Sequence, residues 1–219
     1  MIIIILIILI FIYFFQKNKN IVDDISKKLY NGKKWNKYRI GDVYRFGAEY
    51  TDKNGNLKYH LVDFPNSIAS EYIKLNKPFK KKNLKLIKSI INKRINKKIN
   101  NNELILHIRT GDVMCVDEQN KYRYSRFSDT IWWHNLVSYI INNNITKIYI
   151  LSGSHYEVCS NESAKYLEDS KQFLLKKTGV DIEYRLGQSP DDDILFCAGA
   201  KHFITTGGGY GELIKELLF

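Results

Sequence analysis

With 219 residues, 44% hydrophobic and 26% charged, the chain has room for one medium domain with a full core, which excludes a disordered protein and two complete nucleotide-binding folds. Its formal net charge of +11 is accounted for by a single lysine-rich segment, residues 74–98. The three cysteines, Cys115, Cys159 and Cys197, form no Cys-x-x-Cys pair and have no histidine at finger spacing, so neither a zinc site nor a disulfide framework is expected; Cys115 and Cys197 read as buried, inert thiols.

Residues 2–15, IIIILIILIFIYFF, are unbroken apolar sequence ended by Gln16, Lys17, Asn18 and Lys19, and residues 1–16 read as a membrane anchor. As a helix, residues 1–15 extend about 22 Å against a hydrocarbon core of about 30 Å, so spanning needs local thinning, snorkelling lysines or the polar flank. A removed signal peptide is the competing reading. The lack of a basic stretch before the run and of a small-x-small site after Phe15 favours a retained anchor. Lys17, Lys19, Lys27 and Lys28 follow the run, and by the positive-inside rule they favour a cytosolic body.

Residues 17–73 read as a linker and a small mixed region: a short helix over 21–29, a turn at Asn31-Gly32 and a hairpin over 41–61. In the hairpin Tyr44, Phe46, Ala48 and Tyr50 alternate before the turn at 52–56, and Leu57, Tyr59 and Leu61 follow it. This element is either a partial cover over a site or an edge hairpin without ligand contact. Residues 74–100 form a basic amphipathic segment, with eleven basic and no acidic side chains between 74 and 98. Leu84, Ile87, Ile90, Ile91 and Ile95 recur at three and four, predicting a helix over 84–97. Its lysines are a solvated face or an attraction to anionic lipid; nucleic acid is disfavoured because exposed aromatics are not interleaved with them.

Residues 101–219 alternate strand and helix patterns, the mark of an α/β domain with a mostly parallel sheet. Its first strand, 104–108, is apolar and carries His107, Arg109, Thr110, Gly111 and Asp112 at its carboxyl end, where open α/β sheets bind ligands. An arginine there grips phosphate with two parallel hydrogen bonds. Gly111 permits a turn, and Asp112 orients the arginine or the histidine, or caps the turn. His107 has the alternative of being a satisfied core histidine.

The pattern His-x-Arg-x-Gly-Asp resembles the His-x-Arg-Arg-x-Asp signature of inverting, metal-independent fucosyltransferases that use GDP-fucose, including the protein O-fucosyltransferase and bacterial fucosyltransferase branches. The resemblance implies a Rossmann-like domain equivalent to the donor-binding half of a GT-B glycosyltransferase, with Arg109 on the donor diphosphate. Thr110 stands where some branches carry a second arginine. Many eukaryotic members keep a lumenal catalytic domain behind a signal anchor, opposite to the orientation the lysines favour.

Beyond the motif, Tyr122, Arg123, Tyr124, Arg126 and Phe127 are candidates for a substrate loop. A helix is predicted over 130–142, a buried strand over 147–151 that ends in Ser152-Gly153-Ser154-His155, a helix over 163–177 ended by Gly179, and a strand over 181–186. Asp191-Asp192-Asp193 satisfies the Asp-x-Asp pattern of metal-dependent transferases, yet Ser189 at a cap, Pro190 at the first position and acids in the first turn are what a helix start requires; no metal is expected. By the resemblance, Asp193 meets the donor's base or ribose. A last strand over 201–204 delivers Thr205, Thr206, Gly207, Gly208 and Gly209 to a helix over 212–218, an arrangement whose backbone N–H groups approach an anion. By the resemblance Thr205 and Thr206 contact the donor phosphate.

The expected function is a membrane-anchored glycosyltransferase moving fucose from GDP-fucose to a hydroxyl of a glycan or protein acceptor with inversion. Arg109, His107 and Asp112 are its catalytic candidates, and Asp112 or Glu49 the carboxylate that deprotonates the acceptor. The alternative is a catalytically inactive relative that binds a nucleotide sugar, glycan or protein at the membrane.

Overall fold

The computed structural model describes residues 2–30, 84–95, 99–115, 130–153 and 158–218. The predicted hairpin over 41–61, the lysines before residue 84, Glu49, the loop carrying Tyr122 to Phe127, and Ser154 and His155 lie outside the described residues. Four strands form one parallel sheet among the described residues: β1 (Glu103–His107), β2 (Lys147–Ser152), β3 (Asp181–Leu186) and β4 (His202–Thr205), in the order β3-β2-β1-β4. Six helices accompany them: α1 (Ile2–Leu29), α2 (Leu84–Arg94), α3 (Thr130–Asn142), α4 (Ser160–Thr178), α5 (Pro190–Cys197) and α6 (Gly209–Leu218), with a short 3₁₀ turn over Gly111–Met114.

Because side chains alternate along a strand, the apolar runs of β1 and β2 supply both faces of the sheet. Leu104, Leu106, Ile148 and Ile150 pack with Leu136 and Ile140 of α3, Leu167 and Leu174 of α4, and Ile25 and Leu29 of α1. Ile105, Tyr149 and Leu151 face the other way, onto Ile87, Ile90 and Ile91 of α2, Ile194 of α5, and Leu213 and Ile214 of α6. The chain steps outward from β1 through α3 to β2 and through α4 to β3, then returns through α5 to β4 on the far side of β1. Reversing direction while keeping one crossover hand transfers the connecting helix to the opposite face, as is seen for α5.

The amino terminus differs from the sequence expectation in an instructive way. Instead of an anchor followed by a separate short helix, α1 is a single 28-residue helix, about 42 Å long at 1.5 Å per residue. Between Phe15 and Ile21 stand only Gln, Lys and Asn, with neither proline nor glycine, so nothing stops the helix. Residues 3–15 are exposed all round, and α1 is the helix among the described residues long and apolar enough to cross a membrane. Further along, Ile21, Ile25 and Leu29 recur every four residues and pack the carboxyl-terminal half of α1 into the domain core. Between these two parts a cleft of about 690 Å³ opens against α4, lined by Tyr13, Gln16, Lys17, Glu168 and Gln172 among others. The last turn of α1 meets the end of β3 so closely that a Cβ at Gly187, where φ is +59°, would strike the Lys28 carbonyl.

Cys115 is not the inert thiol expected of it. It is disulfide-bonded to Cys159, with a Cα–Cα distance of 5.3 Å across a separation of 44 residues, because the sheet brings the loop after β1 beside the start of α4. Cys197, by contrast, is a buried free thiol. Gly179 ends α4 as predicted, with φ +66° and its N–H bonded to the Leu175 carbonyl at 2.9 Å. At the start of α5 Pro190 fills the first turn, but the Ser189 hydroxyl makes no cap bond; the Asp193 N–H bonds the Ser189 carbonyl at 2.9 Å. The helix after the glycine loop begins at Gly209, three residues earlier than expected, since only Gly207 and Gly208 take positive φ.

The packing of α1 predicts that Leu29→Ala, at a side chain 1% exposed, will destabilise the body by about 2–5 kcal/mol in urea unfolding, the cost of a cavity in a close-packed core. An unchanged midpoint would mean that residues 21–29 are a linker after all.

Candidate functional site

The order β3-β2-β1-β4 places a reversal of winding between β1 and β4. The loop after β1 turns toward the face that holds α3 and α4, while the loop after β4 turns toward the face that holds α6. Their divergence marks the switch point at the carboxyl edge, the place where open parallel sheets generally form a ligand crevice. Arg109 and the glycine loop, about 95 residues apart in sequence, meet at this crevice as their placement after two strands predicts.

Register sets the contact. His107 pairs with Thr205 in the last rung of the β1–β4 ladder, and their side chains are joined by a 2.8 Å hydrogen bond between His107 Nδ1 and Thr205 Oγ1. The Thr205 hydroxyl also accepts the Gly207 N–H at 3.0 Å, fixing the turn. One residue on, the Thr206 N–H donates to the His107 carbonyl at 3.0 Å and the Thr206 hydroxyl accepts the Arg109 N–H at 3.0 Å. The two threonines, 4% and 2% exposed, thus bind the loops to each other.

The glycines make the approach possible. A Cβ at Gly208, where φ is +86°, would lie 2.7 Å from Arg109 Cδ, so the arginine stem lies directly on the glycine backbone. A Cβ at Gly211 would collide with the Thr205 hydroxyl and lie 3.0 Å from His107 Nδ1. Gly209 opens α6, whose first-turn N–H groups lack acceptors within the helix and bring partial positive charge to the crevice beside the Arg109 guanidinium. Asp112 is on the rim, its side chain 70% exposed and Oδ1 3.6 Å from Arg109 Nη2. An ion pair that open contributes about 0–1 kcal/mol, enough to bias the arginine and too weak to hold it from an incoming anion.

His107 is a tether, the core-histidine alternative of the sequence reading. Burial and then the nearby Arg109 charge lower its pKa to about 4, so the ring is neutral at pH 7. The Tyr210 ring stands edge-on to it at 5.5 Å and the Tyr210 hydroxyl donates to the Pro190 carbonyl, linking α6 to the start of α5. Thr110, where a second arginine would stand in some fucosyltransferases, points inward and shares a 2.9 Å hydrogen bond with Ser152, whose hydroxyl donates to the Ile108 carbonyl at 2.7 Å. Ser163 on α4 accepts the Gly111 N–H at 3.1 Å. Sequence reading passed over Ser163 as a helix starter, and nothing local marks it, because its partner is 52 residues away.

Asp193 has a different partner from the base or ribose implied for it. Its Oδ1 is 2.7 Å from Arg185 Nε, and that guanidinium stacks over Phe196 at 4.4 Å. Burial pushes the carboxyl up to about 7, against the pull of Arg185. Asp191 is buried and Asp192 exposed, so the three aspartates do not share one face. No family model, no curated protein and no solved structure matches the chain.

The buried neutral histidine has a consequence for stability. The unfolded imidazole titrates at its ordinary 6.5 and the folded one near 4, so between these values only the unfolded chain takes the proton. His107's contribution is complete above pH 6.5 and is lost as the pH falls toward 4. Asp193, with its raised pKa, slopes the opposite way over about the same range, so wild type and His107→Gln must be compared at each pH. The variant should lose less stability than wild type between pH 7 and about 4.5 in urea unfolding; parallel curves would show that His107 titrates normally.

Proposed function

We propose that the crevice between β1 and β4 binds the diphosphate of a nucleotide sugar, and that the protein is a glycosyltransferase of the fucosyltransferase-like, GT-B type. The single observation that carries this reading is the Arg109 stem laid over Gly208 at the reversal of winding, with the amino end of α6 beside it. The strand order β3-β2-β1-β4 is that of the first four strands of a Rossmann fold, which supports a Rossmann-like domain.

In this scheme the acceptor hydroxyl oxygen attacks the anomeric carbon from the face opposite the diphosphate. The bond from that carbon to the diphosphate oxygen breaks, its electron pair leaves with the diphosphate, and the sugar inverts. Arg109 and the α6 amides stabilise the charge that grows on the departing group, preorganised as in an oxyanion hole. A carboxylate takes the acceptor proton, and Asp112 stands at the rim for it. His107, Thr205 and Thr206 act by position, holding the arginine loop and the glycine loop at fixed separation. GDP-fucose is the donor proposed, a glycan or protein hydroxyl the acceptor, and α1 the membrane anchor.

Calorimetric titration with GDP and with UDP tests the reading. Wild type should bind GDP in preference to UDP, and Arg109→Ala should lose about 2–5 kcal/mol of binding, the cost of leaving a charged partner unpaired, with little change in ligand-free stability. Arg109→Lys should recover only part, since an ammonium lacks the two-pronged grip. Binding of neither nucleotide by wild type, or undiminished binding by Arg109→Ala, would overturn the donor-site assignment.

A further inference from the structure

Two features unrelated to nucleotide chemistry point to one compartment. The first is the disulfide between Cys115 and Cys159. Cytosolic glutathione and thioredoxin keep such pairs reduced, whereas secretory compartments oxidise them. The pairing is built into the fold: Cys115 follows the 3₁₀ turn Gly111–Met114, Cys159 precedes α4, and Ser163 fastens the two segments by accepting the Gly111 N–H and donating to the Cys159 carbonyl at 2.7 Å. The third cysteine, Cys197, is 0% exposed among Ile194, Leu213 and other side chains on the opposite face of the sheet, out of reach of either.

The second feature is Asn144-Ile145-Thr146, an N-glycosylation acceptor sequence in the turn between α3 and β2. Asn144 is exposed, has φ +51° at the head of the turn, and its side-chain amide has no hydrogen-bond partner among the described residues. Ile145 anchors the turn in the core, so the asparagine is presented outward on a fixed support. The other such sequence, Asn161-Glu162-Ser163, has its hydroxyl fully buried and engaged with Gly111 and Cys159, which closes it once the domain has folded.

We propose that the folded body matures on the lumenal, oxidising side of a membrane, where Cys115 and Cys159 are joined and Asn144 is N-glycosylated. The lysines after the apolar run favour the opposite side, but Lys28 is paired with Asp24 at 2.7 Å, and Lys27 and Lys28 lie on the part of α1 that packs into the body. A covalent bond that the cytosol would reduce is the stronger constraint. A removed leader delivers the body to that side, and a retained anchor does so when its amino terminus stays in the cytosol. The two thiols pass two electrons and two protons to the disulfide of a folding oxidoreductase, leaving the Cys115–Cys159 bond and a reduced dithiol. At Asn144 the amide nitrogen bonds to the anomeric carbon of an oligosaccharyl diphospholipid, the diphospholipid leaves with the electron pair, and the amide gives up a proton. If the crevice uses a nucleotide sugar there, a membrane transport step must supply that donor from the cytosol.

The test uses the full-length chain translated with and without microsomes, and none of its readouts depends on nucleotide binding, so it can fail while the proposed function stands, or the reverse. Denatured without reductant, the chain from microsomes should take up one maleimide–polyethylene glycol, on Cys197, and three after dithiothreitol. It should also show an endoglycosidase-sensitive mobility shift that Asn144→Gln abolishes, and its body should resist added protease until detergent is present. Three reactive thiols without reductant, or digestion of the body in intact microsomes, would overturn the compartment. One reactive thiol with no mobility shift would uphold the compartment and overturn the modification at Asn144.

Discussion

The 2.8 Å hydrogen bond between His107 and Thr205 is the contact on which the carboxyl edge of the sheet depends. It lies at the last rung of the β1–β4 ladder, so it fixes where both loops leave the sheet. Each neighbouring feature is adjusted to it: Gly211 has no side chain because one would occupy the threonine's place, and the Gly207 N–H bonds the same hydroxyl. A charged imidazole beside Arg109 in a buried setting would be costly, and the histidine is accordingly neutral. Arg109, its side chain 36% exposed, lies with its stem on the Gly208 backbone, its N–H is bound by Thr206, and its Nη2 is 3.6 Å from Asp112 Oδ1.

Helix α1 couples two environments through one rigid element. Residues 3–15 are exposed apolar side chains suited to hydrocarbon, and about three to four turns after Phe15, Ile25 and Leu29 are core residues of the α/β body. An uninterrupted helix allows no swivel between them, so whatever holds the first half also orients the sheet. Because Lys28 adjoins Gly187 at the end of β3 while Tyr13 and Gln16 lie against α4 further down, α1 runs alongside the strands toward their carboxyl ends. The crevice is therefore at the end of the body remote from the apolar segment, at a rise of about 21 Å from Phe15 to Leu29.

Charge is distributed between structure and surface by burial. Arg185 and Asp193 face each other at 2.7 Å with the arginine covered by Phe196, a pair that ties β3 to α5 and whose carboxylate is consumed within the fold. Arg109 and Asp112 stand further apart, at 3.6 Å, with side chains 36% and 70% exposed, so water screens the pair. The same amino-acid types, one pair after β1 and the other at β3 and α5, thus differ because one pair is drier than the other.

Much of the architecture was legible in the sequence because it rests on local rules. Short apolar runs marked the strands, apolar spacing at three and four the helices between them, and glycine at residue 179 the end of α4. The carboxyl-edge placement of Arg109 and the glycine loop followed from strands preceding both. Their meeting needed the winding order, which no local pattern contains. Tertiary structure alone decided that Thr205 and Thr206 bind the loops to each other, that Asp193 belongs to Arg185, and that Cys115 and Cys159 meet, since each depends on a partner distant in sequence or on which face a side chain takes. The continuity of α1 fell between these cases: a polar stretch from 16 to 20 carries no stop signal, yet only the packing of Ile25 and Leu29 determines that the apolar segment and the core share one helix.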